Sequence, residues 1–148
     1  MHTKLLFKEN VYLRSCRATI IDIVRDKKGV YFISDQTVFF PTGGGQSCDV
    51  GEADGIPVTD VWEEDGVVYH RIDTDTCPFS PGSTVFMQID WSRRFDNMQR
   101  HCGEHVLSGA FYSLYRGHNR GFHMGKDYMT IDIALDEDSG FQKITDDM

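Results

Sequence analysis

"PGSTVFMQIDWSRRFDNMQRHCGEHVLSGAFYSLY" (Pro81–Tyr115) changes its hydrophobic period at Trp91, and that change divides the chain. Before it, "PGSTVFMQID" alternates apolar and polar residues as a half-buried strand does. After it, Phe95, Met98, Cys102, Val106, Gly109/Ala110 and Leu114 recur every three or four residues, the stripe by which a helix normally packs. A helix is expected from about Ser92 to Tyr115, capped by Ser92 or Asp96 and ending before "RGHNRG".

Working backwards, residues 1–90 read as β. "CRATIIDIVRD" and "GVYFISDQTVFFP" are β-branched and aromatic runs joined by "DKKG", and "DGIPVTDVWEEDGVVYHRID" repeats the pattern with a turn at Asp65-Gly66. Short strands at close spacing predict a small closed barrel, because closure removes exposed edges. Working forwards, "DYMTIDIAL" alternates, with Tyr128, Thr130, Asp132 and Ala134 on one face, and "DEDSGFQKITDDM" reads as a loop leading into a helix. One helix and one strand cannot bury a core alone. The lobe is therefore expected to lean on the barrel, on another chain as in a homodimer, or on a further C-terminal segment. The expected class is α+β: an N-terminal β-barrel over 1–90, then the first helix and strand of an incomplete α+β domain over 91–148.

Composition fits this picture. Of 148 residues, 40% are hydrophobic and 26% charged, which is globular usage. No run approaches the ~18 apolar residues of a membrane span. The start, "MHTKLLFKEN", has no signal-peptide pattern, so a cytoplasmic address is expected, with Cys16, Cys48, Cys77 and Cys102 as thiols. The net charge of -8 disfavours nucleic acid in sum but not in distribution. Residues 1–90 carry -6 and residues 127–148 carry -6, whereas 91–126 carry +4 through Arg93, Arg94, Arg100, Arg116, Arg120 and Lys126. A phosphate-bearing ligand can be steered to that stretch; a solvated basic helix face is the plainer account.

Three segments carry chemistry. His101 and His105 stand one helical turn apart, so two imidazoles can converge on one ion. Zinc takes four ligands in structural sites and three plus water in catalytic ones, so the pair is half a metal site or simply two polar helix residues. "HCGEH" also fits the inverted zinc-protease pattern H-x-x-E-H, with Glu104 as general base. "FFPTGGGQSCDVG" (Phe39–Gly51) places three glycines together. These allow a tight crossing at a barrel corner, or a backbone wall against which a substrate group lies. His118 just precedes "RGFHMGKDYMTIDI", which supplies His123; His123 either faces the same pocket as the pair or is a surface residue.

Taken together and in this order, "TVFFPTGGGQSCDVG", "DWSRRFDNMQRHCGEHVLSGAF" and "GFHMGKDYMTIDI" resemble the N-terminal part of alanyl-tRNA editing proteins, free-standing relatives of the alanyl-tRNA synthetase editing domain. The resemblance covers about Thr37 to Ile133. It implies a glycine-containing β-barrel followed by an editing domain, kinship with ATP-binding synthetases, and a zinc-assisted hydrolase that removes serine or glycine from mischarged tRNA(Ala). It implies that His101 and His105 bind zinc together with a later C-x-x-x-H segment, which this sequence lacks because no cysteine follows Cys102. Cys102 stands where threonine is common, and Glu104 where glutamine often is. Cys102 is rotated ~100° from His101 and is not expected to complete the site. Thr42, Gly43, Gly44, Gly45, Gln46 and His123 become the pocket candidates, with the acceptor end of tRNA(Ala) as partner. A half-built zinc site implies a weakly active or inactive fragment. The competing reading is a non-catalytic tRNA- or synthetase-binding module.

Overall fold

The computed structural model describes residues 2–27, 29–74, 76–125, 127–137 and 139–140; Lys126 and the helix expected within 141–148 lie outside the described residues. Those residues form an α+β structure that divides into two compact units, Met1–Gly43 with Ser47–Phe95, and Gly44–Gln46 with Asp96–Met148.

The first unit contains β1 (Lys4–Leu5), β2 (Ser15–Asp26), β3 (Gly29–Ser34), β4 (Gln36–Thr37), β5 (Gly51–Ala53), β6 (Ile56–Glu64), β7 (Val67–Ile72) and β8 (Thr84–Ile89). Six strands pair antiparallel in the order β2-β3-β7-β6-β5-β8, and β8 returns to β2 with Cys16 opposite Met87, so the ladder closes. The alternation of β8 sets its faces: Val85, Met87 and Ile89 are buried, while Thr84, Phe86 and Gln88 are exposed. Two hairpins use Asp-Gly pairs in the left-handed region, Asp54 (φ 46°) with Gly55 (79°) and Asp65 (51°) with Gly66 (78°). That backbone matches the right-handed twist of the flanking strands. The run 29–41 is not one strand: it breaks after Ser34, and β4 pairs in parallel with β1. Ile20, Phe32, Val38, Phe39, Val61, Val68 and Met87 fill the interior.

Helix α1 (Trp91–Tyr115) begins where the period changes. Its cap is Asp90, not Ser92 or Asp96: the Asp90 carboxylate accepts the Arg93 N–H at 3.1 Å. One turn on, the buried Arg94 donates to both Asp49 oxygens and to the Val38 carbonyl. One charge of the basic stretch is thus neutralised inside the first unit.

In the second unit α1 ends at Tyr115; Arg116 adopts φ 52°, and the chain turns into β9 (Gly117–Met124). β9 pairs antiparallel with β10 (Met129–Leu135). The segment bearing His118 and His123 is therefore a strand. The helix stripe is also reversed from expectation. Phe95, Val106, Leu107, Tyr112 and Leu114 are exposed, whereas Asn97 and Glu104 are buried and His101, Ser108, Phe111 and Tyr115 are partly so. The polar stripe turns inward because its partners are there. A buried carboxylate or imidazole without hydrogen bonds costs more than an exposed valine forfeits.

Candidate metal centre

A cleft of about 610 Å³ in the second unit is lined by Gly44, Gly45, His101, Glu104, His105, Ser108, Asn119, Arg120, Gly121 and Phe122. Three short segments build it, each for a local reason.

The first is the glycine loop. Gly44 and Gly45 have φ of 57° and 79°, and a Cβ on Gly45 would lie 2.4 Å from the Phe122 carbonyl oxygen. Only glycine fits both demands. The Gly45 carbonyl accepts the Met124 N–H at 3.0 Å, which fixes the loop to β9. The group in closest approach is thus strand backbone. Gln46, 5% exposed, follows and reaches the helix.

The second is the helix. At i and i+4 the rings of His101 and His105 lie 4.9 Å apart at 27°. His101 Nδ1 donates to Gln46 Oε1 at 2.8 Å, which leaves Nε2 as the lone-pair nitrogen. Glu104 sits between them in sequence and is 4% exposed. Its Oε1 accepts Ser108 Oγ at 2.6 Å and the Asn119 side-chain amide, and its Oε2 lies 3.5 Å from His105 Nδ1. Ligand atoms of His101, Glu104 and His105 all lie within 4.8 Å of one another, a group able to hold a metal ion. Cys102 is exposed and does not line the cleft.

The third is a β-bulge. Gly121 opposes Asp132 and Asn119 opposes Ile133, so Arg120 is the extra residue of β9. A bulge breaks the in-out alternation and re-aims side chains. Four successive residues, Asn119 to Phe122, consequently line the cleft, and Asn119 Oδ1 accepts the Gly121 N–H at 2.8 Å. Phe122 tilts against His101 at 5.4 Å.

Of the pocket candidates, Gly44 and Gly45 line the cleft and Gln46 supports it through His101. Thr42 and Gly43 belong to the first unit, where the Thr42 N–H is bound by the Val61 carbonyl. His123 is exposed opposite Thr130; the strand turns its neighbour Phe122 to the cleft instead. Sequence reading missed Ser108, Asn119, Arg120 and Phe122. The available signal was Gly121, since a glycine within a strand marks a bulge.

No family model matches the sequence. Among curated proteins, the chain is 34% identical over 132 residues to alanyl-tRNA editing protein AlaX-L of Pyrococcus horikoshii, covering 86% of this chain and 33% of that protein. It is 38% identical over 106 residues to AlaX-M of the same organism, covering 71% of this chain and 47% of that protein. It is 30% identical over 138 residues to the alanine–tRNA ligase of Pyrococcus furiosus, covering 89% of this chain and 15% of that protein. The chain thus spans about a third of the length of AlaX-L and less than half of AlaX-M. No helix among the described residues is long and apolar enough to cross a membrane.

Proposed function

This chain belongs to the alanyl-tRNA editing family, and on that premise we propose that it is part of a zinc-assisted, cytoplasmic hydrolase that deacylates tRNA(Ala) mischarged with serine or glycine. In this reading residues 1–90 are the family's barrel and residues 91–148 the beginning of its editing domain. The observation that carries it is the convergence of His101 and His105 on a cleft walled by Gly44 and Gly45.

The residues present fit zinc. Two imidazoles and a carboxylate are its usual donors, and the Gln46 contact orients the His101 ring through Nδ1, leaving Nε2 as the nitrogen available to a metal. Bringing donors from within 4.8 Å to the spacing set by bonds of about 2.0–2.1 Å takes only side-chain rotation, and the His105 side chain is 71% exposed. When bound, zinc supplies Lewis acidity toward an ester between an amino acid and a terminal ribose. The protein does the rest. Gly44 and Gly45 keep the wall free of side chains, so an acyl group can approach the backbone, where the N–H groups of Gly44 and Gly45 stabilise charge on its carbonyl oxygen. Selecting serine over alanine requires a polar partner for its hydroxyl, because an apolar pocket discriminates a hydroxyl poorly. Arg120, at the cleft, takes an acceptor-end phosphate.

The test is deacylation of Ser-tRNA(Ala), Gly-tRNA(Ala) and Ala-tRNA(Ala) with and without zinc. Hydrolysis of the first two that depends on zinc and disappears in the His101→Ala/His105→Ala double variant is expected. Decay at the uncatalysed rate, with tRNA still bound, would leave the non-catalytic module as the better account.

A further inference from the structure

The outer face of the first unit carries a cavity of about 380 Å³, lined by Asp26, Tyr31, Asp60, Trp62, Glu64 and Arg71. It stands on three paired strands: Tyr31 of β3 and Asp60 of β6 both oppose Arg71 of β7, and Trp62 opposes Tyr69. Alternation along β6 sends Val61 to the core and Asp60, Trp62 and Glu64 to this face. All six lining residues belong to the first unit, whereas His101, Glu104 and His105 belong to the second.

The aromatic part of the wall is rigid. Trp62 stacks on Tyr69 at 5.2 Å and 5°, and Tyr69 does not line the cavity, so one indole face is covered and Trp62 still borders the space. Tyr31 meets Trp62 edge-on at 4.7 Å and 89°. It is 3% exposed, and its hydroxyl bonds Asp26. Rings locked against one another need no ordering by a ligand, which lowers the cost of binding one.

The charge around these rings is unbalanced. Three carboxylates accompany one guanidinium, a net charge of −2. Arg71 passes over Gly29, with Nε 3.2 Å from where a Cβ would stand, and among the described residues it makes no ion pair with Asp60 or Glu64. Nor do the carboxylates converge on a bare ion. Among the described residues, the three donors close enough to hold a metal are those of α1. Separated carboxylates beside an indole suit a flat, extended cation. A guanidinium stacks on the ring while its N–H groups reach carboxylates to either side; an ammonium is a compact and more strongly hydrated point charge.

We infer that this cavity is a binding site for a guanidinium cation, with Trp62 as the stacking platform and Asp60 and Glu64 as acceptors. It owes nothing to the metal-dependent reading above and stands or falls separately from it.

The experiment titrates butylguanidine and butylamine, which share an alkyl chain and a single charge, into the intact chain while NMR follows the Trp62 indole N–H. Butylguanidine is expected to move that signal and to bind more tightly than butylamine. Trp62→Leu should weaken it about tenfold. Asp60→Asn/Glu64→Gln, which keeps size and shape and so the fold, should also weaken it about tenfold. A Trp62 signal that butylguanidine leaves unmoved overturns the inference. Equal affinity for the two cations does so as well, since it marks unspecific attraction to an acidic face. Unchanged affinity in Asp60→Asn/Glu64→Gln overturns it whether or not Trp62→Leu folds. A blocked arginine peptide that binds more tightly than butylguanidine identifies the source of the cation as a partner protein's side chain, and the reverse order identifies a free small guanidine.

Discussion

Lowering the pH should destabilise the barrel through one side chain, His70. The ring is completely buried, stacked on Phe32 at 4.6 Å and edge-on to Phe39. Nδ1 donates to the Phe32 carbonyl at 3.2 Å, so Nε2 accepts from Thr37 Oγ1 at 2.8 Å, and that hydroxyl in turn accepts the Phe39 N–H at 3.0 Å. Every position of this chain is filled only while His70 is neutral. A proton on Nε2 would face a hydroxyl whose own hydrogen then loses its acceptor. Burial therefore lowers the pKa from 6.5 to about 4, with the Phe32 contact opposing it weakly. Because the folded value lies below the unfolded one, the unfolded state takes up the proton first as pH falls. Stability is complete above about pH 6.5 and is lost progressively between there and about pH 4. At pH 5 the 1.5-unit gap from 6.5 corresponds to about 2 kcal/mol. The assay is urea unfolding at pH 7 and pH 5 on wild type and on His70→Gln, which cannot titrate. The variant starts less stable, but carboxylate effects are common to both proteins, so the difference between their pH losses isolates His70. Equal losses in the two proteins would refute the reasoning, as would an NMR titration of His70 near its ordinary value.

Three further outcomes are expected. Gly45→Ala should cost about 2 kcal/mol or more and abolish slow hydrogen exchange at the Met124 amide, because alanine must adopt the φ of 79° held by Gly45 and its Cβ must displace the Phe122 backbone. Arg94→Met should destabilise the first unit by about 3–5 kcal/mol in chemical denaturation, since it leaves Asp49 buried and uncompensated; Arg94→Met/Asp49→Asn should recover part of that loss. Val106→Ser and Leu114→Ser should each change unfolding free energy by less than about 0.5 kcal/mol, because both side chains are exposed; a large loss would restore the apolar stripe as the packing face.

The sequence alone determined the parts that depend on local chemistry. Alternation in β8, the Asp65-Gly66 turn and the change of period at Trp91 are written residue by residue, and the structure follows them. The spacing of His101 and His105 put both rings on one helix face, since helical geometry needs no tertiary context. What the helix packs against was not legible. Periodicity reports an apolar stripe, but burial depends on which partners arrive, and here Gln46 and Asn119 meet the polar stripe. Asn119 reaches Glu104 from fifteen residues away because a bulge at Arg120 turns it there, and bulges are fixed by strand pairing. Gly45 was visible as a glycine, yet its neighbour, the Phe122 carbonyl, was set by where a strand distant in sequence comes to lie. Local periodicity is a property of the chain; which side chains meet across the cleft is decided only when distant segments close on one another.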